Sequence, residues 1–240
     1  MAGYLRLTAY MTTTLRFRDR RDGGRQLVPR LARYRGAPRT VVLGLPRGGV
    51  VPAAEIATAL SLPLDVIVSR KIGAPGNPEL AIGAVAEGGD AYVDDSTAAL
   101  TGASDAYVAE ETARQRREID RRRALFRDGR PLALPAHATV ILVDDGVATG
   151  ATVVAAVRAL RQHDVDRLVL AVPVAPPDTA ERLRAMVDEL VVLDTPDEFW
   201  AVGAFYDDFK QVSDDDAAAT LARVRAATAP PAAAAKPSSA

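Results

Sequence analysis

Residues 139–152 read TVILVDDGVATGAT, and this stretch limits the possible folds more than any other. The β-branched apolar run TVILV has the composition of a buried strand. It stops on two adjacent aspartates, and a turn of glycine and threonine leads straight into the helix-spaced run ATVVAAVRALRQH. The unit is therefore strand, tight turn, helix, with charge and bare backbone at the carboxyl end of the strand. Related units recur along the chain. TVVLGL (40–45) is a strand followed by the turn PRGG and the helical run VVPAAEIATAL, and LDVIVS (64–69) is a strand leading into the polar loop RKIGAPGNPE. RLVLAVPV is a strand before the helix PDTAERLRAMV, which Pro177 and Asp178 open, and ELVVLD is a last strand. LAIGAVAEG and AYVD read as a strand pair around Gly88 and Gly89, and residues 104–126 as a long charged helix capped by Ser104 or Asp105. Strands alternating with helices predict an α/β fold, a mostly parallel twisted sheet flanked by helices. The strand order is not readable at this level.

Composition narrows the chemistry. The 240 residues hold no cysteine, which removes disulfides, thiolate metal sites and a thiol nucleophile. Two histidines, His137 and His163, are too few for a zinc site built on several imidazoles. Lys plus Arg number 30 against 31 Asp plus Glu, so no overall basic field attracts nucleic acid. The densest basic run, RQRREIDRRR, lies on the long helix, where Glu110, Glu111, Glu118 and Asp120 interleave at pairing distance, as on a solvated face. No apolar stretch approaches the roughly 20 residues of a membrane span, and the first residues make a poor signal peptide. The expected location is the cytoplasm, with residues 1–13 a flexible leader in which Met11 is an alternative start. Residues 216–240 are expected to form a short helix and a disordered Pro/Ala/Ser-rich tail.

In open α/β sheets, ligands bind beyond the carboxyl ends of the strands. Three loops with unusual chemistry leave those ends: LPRGG, SRKIGAPGNPE and VDDGVATGAT. Asp144 and Asp145 can accept hydrogen bonds from vicinal hydroxyls or hold a divalent cation. The following GVATGAT supplies backbone N–H groups, threonine hydroxyls and a helix N-terminus, which together favour a phosphate. Hydroxyls beside a phosphate describe a ribose 5-phosphate. A Walker B strand, a receiver-domain aspartate and a simple helix cap fit the same residues less well. The chain has no G-x-x-x-x-G-K-[ST], and the other readings leave Gly146, Thr149, Gly150 and Thr152 without a purpose.

VILVDDGVATGAT resembles the motif with which type I phosphoribosyltransferases bind phosphoribosyl pyrophosphate (PRPP), and the resemblance extends over roughly residues 25–215. It implies a phosphoribosyltransferase-like domain over 14–215 with a small C-terminal hood at about 195–212, and a Mg²⁺-dependent displacement of pyrophosphate from PRPP by a nitrogenous base. Asp144 and Asp145 would hold the ribose hydroxyls and Mg²⁺. Gly146, Val147, Ala148, Thr149, Gly150, Ala151 and Thr152 would complete the PRPP site around the 5-phosphate. LPRGG resembles the pyrophosphate loop, giving Pro46, Arg47, Gly48 and Gly49 to that anion, with a cis peptide expected between Pro46 and Arg47. SRKIGAPGNPE resembles the mobile loop that closes over the reaction centre, and adds Arg70 and Lys71 to the pyrophosphate group. Arg47, Lys71, Asp144 and Asp145 are thus the expected catalytic residues. In the hood, Phe199 and Trp200 are expected to stack on the acceptor base, with Asp207 or Asp208 available for polar contact.

Two departures limit the acceptor. Members acting on 6-oxopurines carry an aspartate where this chain has Ala148, and they carry a lysine after the next strand, where this chain reads AVPVAPP. An alanine cannot act as an acid or base, so the acceptor is not expected to be a 6-oxopurine. A regulatory protein that senses PRPP or a nucleotide without turnover is the alternative, and a hydrolase on a ribose phosphate is a third. PRPP and a small nitrogenous acceptor are the expected partners, without nucleic acid or membrane, and a homodimer is left open.

Overall fold

A computed structural model describes residues 15–228, so the leader at 1–13 and the tail beyond 228 lie outside the described residues. Five parallel strands form the central sheet: β1 (Thr40–Gly44), β2 (Leu64–Val66), β6 (Ala138–Val143), β7 (Val165–Val174) and β8 (Glu189–Asp194), in the order β2-β1-β6-β7-β8. Their near-continuous apolar runs follow from burial on both faces. Along β6 and β7, Ile141, Val143, Val169 and Ala171 enter one core cluster, while Val140, Leu142, Leu168, Leu170 and Val172 enter the other. The first cluster is covered by α2 (Val50–Leu60) and by α7 (Asp214–Thr228), which contributes Ala217, Leu221 and Val224. The second is covered by α5 (Ala151–Leu160) and α6 (Pro177–Arg184). The packed body therefore continues past residue 215, along α7. No helix among the described residues is long and apolar enough to cross a membrane.

The order of strands reverses between β1 and β6, and this decides where chemistry can occur. These two strands pair in register from Thr40↔Thr139 to Gly44↔Val143. They end level, so the turns that follow them, 45–49 and 144–150, emerge side by side.

A second sheet stands beside the first: β3 (Ser69–Ala74), β4 (Asn77–Ala86) and β5 (Tyr92–Val93), all antiparallel. The pair of strands around Gly88 and Gly89 is present, with Gly83 opposite Val93 and Ala84 opposite Tyr92. Two expectations are corrected here. Residues 64–69 are not one strand, because the chain leaves the main sheet after Val66 and enters the small one at Ser69. Residues 70–79 are not an open loop, since β3 and β4 pair as a hairpin turning at Pro75–Gly76. Its Gly and Pro residues serve the turn and an irregular register between Ile72 and Ala74. A short helix, α3 (Asp95–Leu100), precedes α4 (Asp105–Arg127), whose N-cap Ser104 accepts from the Tyr107 backbone N–H at 3.2 Å.

Helix α1 (Arg20–Leu27) was not foreseen, because its Gly23-Gly24 pair opposes helix formation in isolation. Packing overrides that propensity. A Cβ at Gly24 would stand 2.7 Å from Pro52 Cα and 2.8 Å from Pro52 O, so the missing side chain lets α1 lie directly on α2, while Gly23 faces Pro173 and Tyr206. Gly24→Ala is expected to cost about 1–3 kcal/mol through this overlap and to lower the thermal midpoint by several degrees. Thermal unfolding of the variant checks this, and an unchanged midpoint would show that α1 docks loosely.

Candidate functional site

The 144–152 turn lines a cavity of about 290 Å³ together with Lys71, Glu79 and Ala81 from the hairpin and Val202 from the C-terminal segment. Asp144 and the residues from Gly146 to Thr152 all reach it. Thr179 Oγ1 donates to the Ala148 carbonyl at 3.0 Å, and Arg182 donates to that of Thr149. These turn carbonyls are thus engaged by α6, while the unsatisfied N–H groups of the first turn of α5 lie at the cavity.

Asp145 does not line the cavity. Its carboxylate turns toward the 45–49 turn, where Arg20 Nε donates to Oδ2 at 2.5 Å. Both side chains are nearly buried, 11% exposed for Arg20 and 14% for Asp145. The Arg20 guanidinium lies 3.7 Å from the centre of the Phe209 ring and donates through Nη1 to the Lys210 carbonyl at 2.7 Å. The Tyr206 hydroxyl donates to the Asp145 carbonyl at 2.5 Å, and its ring stacks on Phe209. Gly48 closes the contact, because a Cβ there would overlap Asp145 Oδ2. Arg20, Tyr206 and Val202 are functional candidates that sequence reasoning missed. Nothing in RFRDRRDGGR distinguishes Arg20 from its arginine neighbours.

Burial pushes the Asp144 carboxyl well above the usual carboxylate range, and the neighbouring Asp145 adds to it. Burial also raises Asp145, but Arg20 opposes the shift. Arg20 thus compensates Asp145, and Asp144 carries the larger upward shift of the pair.

The 45–49 turn carries a cis peptide between Pro46 and Arg47. Pro46, Arg47 and Gly48 line a second cavity, about 250 Å³, with Arg20, Arg70, Arg122, Gln211 and Val212. Gly49 lies behind, where a Cβ would stand 2.7 Å from the Val143 carbonyl oxygen. Arg70 and Lys71, treated as a pair in the sequence, separate. Successive residues of a strand point to opposite faces, so Arg70 enters the second cavity and Lys71 the first, where its Nζ meets Glu79 Oε2 at 2.7 Å.

The aromatic candidates are not brought to either cavity. Phe199 packs on Phe205 with ring centres 5.0 Å apart, and Trp200 is 90% exposed. Asp207 is paired with Arg16, and Asp208 with Lys210 at 2.9 Å. His137, Asp164 and Asp166 form an exposed cluster at the amino ends of β6 and β7, the opposite edge of the sheet from the motif.

With two anion-suited cavities meeting at the switch point of a parallel sheet, the chain belongs to the phosphoribosyl transferase family. The model of the phosphoribosyl transferase domain matches residues 22–210. Two Mycobacterium tuberculosis proteins whose names read "Putative phosphoribosyl transferase" are 46% identical over 207 residues, covering 86% of this chain and 46% of theirs. The chain thus spans about half the length of these curated relatives. The crystal structure of TT1426 from Thermus thermophilus is 49% identical, covers 87% of this chain and 99% of its own, and superposes with a TM-score of 0.72.

Two outcomes are expected for the acidic pair. A carboxyl whose folded pKa is raised contributes stability below its unfolded pKa of about 4, and loses it as pH rises through the folded value. Asp144→Asn should therefore raise the thermal midpoint at pH 7 by a few degrees and flatten its decline above about pH 4, measured by thermal unfolding across pH. Arg20→Ala should cost about 3 kcal/mol by leaving the Asp145 charge buried and unpaired. Adding Asp145→Asn should restore much of that loss in denaturant titration, and an unrestored loss would assign the cost to Phe209 packing instead.

Proposed function

We propose that this chain transfers a phosphoribosyl group from PRPP to a nitrogenous acceptor in a Mg²⁺-dependent reaction. One observation carries the reading: Asp144, the α5 N-terminus and the threonine hydroxyls converge on one cavity, beside a second cavity lined by guanidinium groups. In this proposal the 5-phosphate binds the amides of residues 148–152 and the hydroxyls of Thr149 and Thr152, and Asp144 binds the ribose hydroxyls. Asp145 acts from behind, keeping Arg20 at the wall of the second cavity. The pyrophosphate lies toward Arg47, Gly48 and Arg70, with Lys71 approaching from the hairpin.

The C1–O bond to pyrophosphate breaks as the acceptor nitrogen bonds to C1. Positive charge builds on the ribose and negative charge on the leaving group. Arg47, Arg70, Arg20 and Lys71 stabilise the latter, and Asp144, ionised when a bound cation displaces its proton, favours the former. Asp144 and the threonines of the turn line one cavity with oxygen donors that suit a hard divalent cation, while Glu79 is taken up by Lys71. Bound Mg²⁺ would supply neutralisation of the departing charge. Asp145, committed to Arg20, is not part of that set.

Ala148 brings no acid or base to the acceptor, which supports a base other than a 6-oxopurine.

Pyrophosphate release from PRPP and Mg²⁺ across purine, pyrimidine and pyridine bases and a small-molecule cell extract tests the reading. Release should depend on one added compound. Arg47→Ala should lower turnover about 10²–10³-fold while changing ribose 5-phosphate binding little. Silence across the panel with PRPP still bound would favour a PRPP-sensing protein, the reading that Ala148 also accommodates. Absence of PRPP binding would remove both.

A further inference from the structure

Helix α4 pairs much of its charge on its own surface, with Arg114 on Glu111 at 2.6 Å and Arg121 and Arg122 on Glu118 at 2.8 Å. One face departs from this pattern. Arg70 reaches from β3 onto the helix and donates through Nε to Gln115 Oε1 at 3.0 Å, with no carboxylate partner among the described residues. The Arg117 side chain makes no hydrogen bond or ion pair among the described residues. Arg70, Arg114, Arg117 and Arg121 wall a cleft of about 440 Å³ with Gln115, and Glu118 is the single carboxylate lining it. Arg114 is held by Glu111 and Arg121 by Glu118 and Asp214, which leaves Arg70 and Arg117 as the guanidinium groups of the cleft without an ion-pair partner among the described residues. Burial, and then Arg122, push the Arg70 guanidinium below its ordinary pKa; Glu118 opposes this, and Arg47 and Arg114 add to it. Such a cluster is relieved by an anion that accepts several forked hydrogen bonds, as phosphate oxygens do.

We infer that the α4 cleft binds a small oligophosphate anion at a site separate from the reaction cavities and coupled to them through Arg70. The volume suits a small ligand. The cleft is confined to one stretch of α4 with Glu118 in its wall, which favours a compact anion over a nucleic-acid strand. Arg70 is shared with the cavity of Arg47 and Gly48. An anion on either side neutralises the same guanidinium, so each weakens the other, reciprocally. The cleft site stands whether or not the chain transfers a phosphoribosyl group.

Calorimetry with tripolyphosphate, without Mg²⁺ at low salt, tests the assignment on wild type, Arg114→Gln/Arg117→Gln and Arg47→Ala. Wild type should show two saturable sites. The α4 variant should lose one of them, at least tenfold in affinity and with an unchanged far-UV circular dichroism spectrum, and should bind pyrophosphate more tightly than wild type at the other in the presence of tripolyphosphate. Arg47→Ala should weaken only that other site. Two intact sites in the α4 variant would overturn the inference, whereas two intact sites in Arg47→Ala would instead overturn the pyrophosphate role of the 45–49 turn. Tighter binding of a short single-stranded DNA than of tripolyphosphate, lost in the α4 variant, would also overturn it by making the face a nucleic-acid surface.

Discussion

The backbone of the 45–49 turn lies against the Asp145 carboxylate, and the rest of the site is arranged around that contact. Only glycine at position 48 permits it. From the other side Arg20 holds the same carboxylate, and Tyr206 holds its backbone carbonyl. Four segments far apart in the chain therefore meet at two residues: the start of α1, the turn after β1, the turn after β6 and the C-terminal segment. The parallel sheet makes the meeting possible, because β1 and β6 are neighbours that end level and their successors depart in opposite directions.

The charges near this contact work against stability on their own. Asp144 is desolvated beside a second carboxylate, and guanidinium groups crowd Arg70 with only Glu118 opposing them. Neither arrangement helps the chain fold. Both become favourable when a ligand with hydroxyls and phosphates brings the opposite charge and hydrogen-bonding capacity, which is the usual reason titratable groups are held in such surroundings. Arg20 resolves part of the conflict permanently by compensating Asp145, which leaves Asp144 as the group facing the cavity.

Several elements were legible in the sequence because local composition suffices for them. The runs around β1, β6, β7 and β8 are apolar on both faces, and Ser104 caps α4 where a capping residue precedes a helical pattern. Others were hidden for identifiable reasons. A glycine pair disguised α1, since its helical state depends on contact with Pro52. Gly and Pro in residues 73–78 read as a loop, although pairing with β4 makes Ser69–Ala74 a strand. The Arg70-Lys71 dipeptide looked like one functional unit until strand alternation sent its members to different cavities.

By itself, the sequence determined the α/β class, the strand-turn-helix units and the two turns rich in glycine and charge, because these rest on short-range periodicity and on which residue types tolerate a tight turn. The tertiary structure alone decided which carboxylate faces the cavity, that Arg20 completes the site, and that the exposed Trp200 stays away from both cavities while Val202 reaches one. Those outcomes depend on contacts between residues far apart in the chain, such as Arg20 with Asp145, 125 positions away. Strand order and close packing set such contacts, and local sequence does not encode them.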